Sequence, residues 1–144
     1  MNFIDKAFES KLSGDDFLQA MADVYSEEEV RGVLDQYPQF VKDVIMIIDY
    51  DTEIQMGGLD EVINGNLEKK LLEILQALDN CGASQEADVL RQAKAMPSDE
   101  YEENYETLYN KLSINNDYEE FWDLVRDYID ASLNGWNIKD SGLI

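Results

Sequence analysis

Apolar positions recur every three to four residues along almost the whole chain, the spacing of one buried face of an α-helix. Ile4, Ala7, Phe8 and Leu12 define a short first helix closed at Ser13-Gly14. Asp15 opens a second, with Phe17, Leu18, Met21, Val24 and Tyr25 on one side. Ser26 followed by Glu29 predicts a capping box, in which two orphan amides are satisfied reciprocally. The third helix it would open carries Val30, Val33, Leu34 and Tyr37 and stops at Pro38. Residues 39–55 are different. Phe40, Val41, Val44, Ile45, Ile47 and Ile48 leave almost no polar face, so this helix must be covered on several sides and is predicted to be central.

Gly57-Gly58 stops the central helix, since glycine weakens a helix interior and permits angles other residues resist. A short apolar piece, Leu59 to Ile63, ends at the turn dipeptide Asn64-Gly65. Leu67, Leu71, Ile74, Leu75 and Leu78 then predict a helix over 67–81 ended by Gly82. Ser84 starts another, carrying Val89, Leu90, Ala93 and Met96 before Pro97-Ser98 breaks it. Next comes a helix with Tyr101, Tyr105, Leu108, Tyr109 and Leu112 inside, then a loop at 113–116. The final helix has Tyr118, Phe121, Trp122, Val125, Tyr128, Ile129 and Leu133 as its stripe and ends near Asn134-Gly135. Trp136 is expected to pack back, and 140–144 to form a tail. The expectation is an all-α, single-domain bundle over 1–144, with about eight helices around residues 39–55.

The set Glu53, Gly57-Gly58, Leu59, Asn64, Ala77-Leu78, Gly82-Ala83, Ala87, Leu90 and Ala93 resembles a bacterial all-helical family. In that family the glycines usually follow two asparagines and precede an aromatic residue; Gln55-Met56 and Leu59 stand there in this chain. The best-known members are described as DNA mimics. The resemblance therefore implies a protein that relieves a transcription repressor from its operator, and it implies a homodimer.

The 144 residues suffice for one domain burying about two-thirds of its unfolded surface. Charge changes the picture most: 32 acids against 11 bases give −21. With no histidine and one cysteine, Ser-His-Asp and Cys-His constellations and the usual zinc sites have no residues to build them. Cys81 reads as a small core residue. The strongest apolar run, 44–48, is too short for a membrane span, and the N-terminus lacks a signal-peptide layout. Charge of this sign is repelled by anionic lipid and by nucleic acid, so neither is expected to be bound directly. The reading is a cytoplasmic protein without cofactor.

Two candidate sites follow. Asp49, Asp51 and Glu53 have the start of a calcium-loop spacing, but Ile54 replaces its glycine and Asp60 its terminal glutamate, so no metal site is assigned. Glu53 with Gly57, Gly58 and Asn64 reads first as structure: Glu53 capping the next helix, the glycines turning the chain, Asn64 ending it. The same four residues could instead floor the pocket of an enzyme or small-molecule binder. The second site is acidic. Asp99, Glu102, Glu103 and Glu106 lie opposite the Tyr/Leu stripe of one helix; Glu119, Glu120, Asp123 and Asp127 lie along the last. Between residues 99 and 130 there are eleven acids and two bases, a local −9. Four helical residues rise about 6 Å, so such columns repeat charge at roughly the spacing of successive phosphates. A solvated face is the commoner meaning of such columns, but like charges at i, i+4 destabilise a helix, a cost solubility alone does not require. The partner expected is a basic DNA-binding protein, the protein itself being non-catalytic. The alternative is an immunity protein that blocks the basic groove of a nuclease toxin.

Overall fold

Eleven residues between Phe40 and Ile54 are buried on one helix, and the rest of the chain is arranged to cover them. The computed structural model describes residues 1–140, with side chains as far as Gly135. Every regular element among them is helical. The order is α1 (Phe3–Glu9), α2 (Gly14–Met21), α3 (Gln39–Gly57), α4 (Leu59–Ile63), α5 (Leu71–Asn80), α6 (Ser84–Ala95), α7 (Ser98–Asn110), α8 (Ser113–Asn116) and α9 (Tyr118–Asp140). Three 3-10 segments, Ala22–Tyr25, Glu28–Gln36 and Glu68–Lys70, complete it. The fold is all-α around α3, as the periodicity predicts. Packing against α3 come α5, α4, α9 and α2, with α8 behind α9 and α6 behind α5.

Burial of the predicted stripes is what holds this arrangement: Phe17, Met21, Ile74, Leu78, Leu90, Phe121, Val125 and Ile129 are all essentially inaccessible. Each such side chain contributes roughly 1.5–3 kcal/mol by leaving water. Cys81 is buried as expected, and its thiol is pushed up to about 11, chiefly by desolvation.

Three carboxylates are buried with the apolar residues, and each joins elements distant in sequence. Asp43 accepts hydrogen bonds from Gln39, from Asn80 at the end of α5 (2.9 Å) and from the Tyr128 hydroxyl of α9 (2.5 Å). Asp49 receives the Tyr25 hydroxyl (2.6 Å) and both terminal nitrogens of Arg31 (2.7 and 2.9 Å). Glu86 of α6 accepts from Tyr50 Oη (2.7 Å) and from the backbone amides of Ser113 (2.6 Å) and Ile114 (3.3 Å). It thereby satisfies the opening amides of α8, and sets where α7 ends and α9 begins.

Several boundaries differ from the sequence expectation. Ser26 makes no capping box. The segment after it is a 3-10 helix from Glu28 with no side-chain cap, where Gly32 disfavours an α-helix and Asp49 draws in Tyr25 and Arg31. A capping box does form at Asn2 and Asp5. The helix over 67–81 starts as the 3-10 turn Glu68–Lys70 and becomes regular only at Leu71. Residues 113–116, expected as a loop, are one helical turn because Glu86 reaches them. Gly135 does not end α9, which continues to Asp140; one glycine weakens a helix without breaking it. The expectations for the Trp136 side chain and for 141–144 lie outside the described residues.

Candidate functional site

Pro97 has an extended backbone and releases the chain into α7. Over the next thirteen residues the 3.6-residue period separates two faces. Tyr101 and Leu108 point inward and are buried, while Tyr105 and Tyr109 are half-buried and stacked, their centroids 5.9 Å apart. Asp99, Glu102, Glu103 and Glu106 are all exposed on the other side. None of the four is in an ion pair among the described residues. Asp99 sits in the first turn, where the helix dipole favours an acid; Glu102, Glu103 and Glu106 have no such compensation. The α7 face is bare negative charge.

On α9, Glu119, Glu120, Asp123 and Asp127 are likewise exposed. The expected column Glu119–Asp123–Asp127 is present but not bare. Arg126 interrupts it, contacting Asp123 at 2.9 Å and Glu119 at 3.9 Å while also holding Asp15 of α2 at 3.1 Å. Only Glu120 and Asp127 of this set are outside ion pairs among the described residues. α7 and α9 thus differ in how much charge they offer, although the sequence gives them similar acid counts.

The glycine turn joins the acidic face through a cleft. Gly58 has φ +75°, a conformation that side chains rarely adopt, and a Cβ there would run into the Tyr105 hydroxyl. That hydroxyl accepts the first amide of α4, Leu59 N–H, at 3.0 Å. Tyr105 is therefore the cap that was expected of Glu53. Glu53 points the other way and accepts from the Asn66 side chain at 3.1 Å. Asp49 and Asp51 face other partners again, Arg31 and Tyr118, so the three carboxylates of the calcium-like spacing diverge. A Cβ on Gly57 would strike the Glu61 side chain, and Asn64 is the exposed residue that ends α4. Beside this turn, between α4 and α7, lies a cleft of about 610 Å³ lined by Asp60, Glu61, Asn64, Tyr101, Tyr105 and Glu102 among others. Among the described residues, no lysine or arginine lines it. The Tyr101 hydroxyl donates to Asp60 at 2.5 Å, and burial, reinforced by that carboxylate, holds the phenol well above its ordinary range.

Glu102 belongs both to the predicted α7 face and to this cleft, so that face continues into the cleft, where Asn64 is the one member of the glycine-turn set among the lining residues; Glu53, Gly57 and Gly58 do not line it. Sequence reasoning missed Asp60 and Glu61 as members. Their position in the first turn of α4, immediately after the glycine pair, is the signal that could have found them. Chemically, the surface offers carboxylates at its rim and tyrosine rings in its wall, a combination suited to cationic side chains.

A family model described as DMP19-like protein matches residues 35–140. The chain belongs to that family. The DMP19-like region runs from just before α3 to the end of α9, and so contains the glycine turn, the cleft and both acidic helices. α1 and α2 precede it. No curated protein and no solved structure gives a significant match to the chain. Among the described residues no helix is long and apolar enough to cross a membrane.

Proposed function

We propose that this protein is a non-catalytic DNA mimic that binds the basic surface of a DNA-binding protein, such as a transcription regulator. The uncompensated α7 face, continuing through Glu102 into the Asp60–Glu61 cleft, is the observation that carries this reading. Membership of the DMP19-like family supports it, through the likeness of the glycine-turn residues to a family whose best-known members are described as DNA mimics. A net charge of −21 supplies long-range attraction for a basic partner and repels nucleic acid itself.

The test is capture. The protein immobilised in an extract of its source cell at low ionic strength should retain a basic DNA-binding protein. Moderate salt or an excess of duplex DNA should release it, because both act on the same electrostatic surface. A retained protein that holds on at high salt, or that binds duplex and this chain simultaneously, would contradict the mimicry.

A further inference from the structure

A second groove, of about 330 Å³, opens between α2, α3 and α9, away from the glycine turn. Leu18 and Ile48 line it together with the rings of Tyr25, Tyr118 and Trp122. Tyr25 and Tyr118 are among the few large apolar residues left exposed, at 44% and 43%. Tyr118 and Trp122 meet edge to face, 6.2 Å between centroids. Into this aromatic setting α3 places Asp51, half-buried.

Asp51 is unlike its neighbour Asp49, which lies two residues earlier and holds a guanidinium. Its hydrogen-bond partners are neutral and long, the Tyr118 hydroxyl at 3.2 Å and the Gln55 side chain at 3.4 Å. Among the described residues it has no ion pair, and burial raises its carboxyl above the ordinary value. Arg126 also borders the groove but is already engaged by Asp15, Asp123 and Glu119. The Trp122 indole N–H is buried and, among the described residues, finds no acceptor. The adjacent Tyr118 hydroxyl gives its own proton to Asp51. The groove therefore combines aromatic walls with one carboxylate that has no cation among the described residues.

We propose that this groove receives an arginine side chain of the basic partner, its guanidinium against Asp51 and the aromatic rings. A guanidinium suits it better than an ammonium. Its planar face stacks on tyrosine and tryptophan, its paired donors match a carboxylate, and it gives up water more readily. The volume admits one side chain and excludes a duplex. Leu18 and Tyr25 lie before residue 35, so part of the groove is built outside the family match. The source of the arginine rests on the DNA-mimic reading, whereas the groove's preference for a guanidinium does not.

The probe is N-acetyl-argininamide, titrated into the isotope-labelled full chain while the two indole N–H resonances are followed by NMR. Trp136→Phe assigns the Trp122 signal. A saturable shift of that signal is expected, with the uncharged citrulline analogue binding at least about tenfold more weakly. Asp51→Asn should erase the preference, and Tyr118→Ala, at an exposed position, should weaken binding as an independent check. No saturation, equal binding of the citrulline analogue, or a preference surviving in Asp51→Asn would overturn the proposal. Partner binding that is lost when α7 is neutralised but untouched by Asp51→Asn would leave the mimicry standing and remove the groove from it. A guanidinium preference in a protein that captures no DNA-competed partner would do the reverse.

Discussion

Replacing Glu86 by Ala should cost about 3–5 kcal/mol of folding stability, read as a lower urea midpoint with little change in slope. Glu86 is only 2% exposed and is the shared acceptor for Tyr50 Oη and for the Ser113 and Ile114 amides. Alanine leaves three donors without a partner inside the fold and a void where the side chain stood. α8 should lose order with it, since two of those donors open that turn. Glu86→Gln keeps an acceptor in place and should cost far less. The pair also separates charge from hydrogen bonding. Desolvation by burial raises the Glu86 carboxyl above its ordinary value, although Tyr50 and the two amides pull it down. A carboxyl raised in the folded state is stabilising when protonated. Its contribution is complete below the unfolded value near 4.5 and is lost as pH climbs through the folded value. The parent should therefore gain stability as pH falls from neutral toward that window, and Glu86→Gln should gain less. Identical pH profiles for the two proteins would show that Glu86 does not report its burial in this way.

Gly58→Val should lower stability by about 2–4 kcal/mol, from two causes that can be separated. The first is backbone strain at φ +75°, which a β-branched residue resists. The second is collision of the new Cβ with the Tyr105 hydroxyl, which cannot withdraw without releasing Leu59 N–H. In the double variant with Tyr105→Phe the collision is relieved and the strain remains, so the two costs should add to less than their sum. The thermal midpoints of the four proteins measure this. A Gly58→Val protein as stable as the parent but deficient in binding would mean that the turn floors a ligand pocket. The structural role assigned to it would then be wrong.

What could be read from the sequence was what is decided locally. The glycine pair, Pro38, Pro97 and the apolar stripes placed α3, α6, α7 and the start of α9 within a residue or two, because a helix face and its stop signals are properties of neighbouring residues. The α7 acids were legible for the same reason. Features set by distant partners were not. Glu53 has the chemistry of a cap, yet Tyr105, 46 residues beyond Leu59, supplies the acceptor. The Glu119–Asp123 column is a mixed case: Arg126, three residues after Asp123 on α9 itself, is a local partner open to sequence reading, whereas its tie to Asp15, 111 residues away, is not. Asp43 and Asp49 carried a usable hint, as polar residues in a helix apolar nearly all round. Glu86 carried none, being one acid among 32.

The claim that the α7 face imitates DNA is tested most directly by neutralising it and measuring affinity for the captured partner. Glu102→Gln, Glu103→Gln and Glu106→Gln together should weaken binding by at least about a hundredfold and flatten its dependence on salt. Helicity should be unchanged or slightly higher, because the i, i+4 repulsion between Glu102 and Glu106 and the Asp99–Glu103 repulsion are relieved. The matching change on α9, Glu119→Gln with Asp123→Asn and Asp127→Asn, should have a smaller effect, since Arg126 already neutralises part of that column. Full affinity in the α7 variant, with its salt dependence intact, would contradict the account.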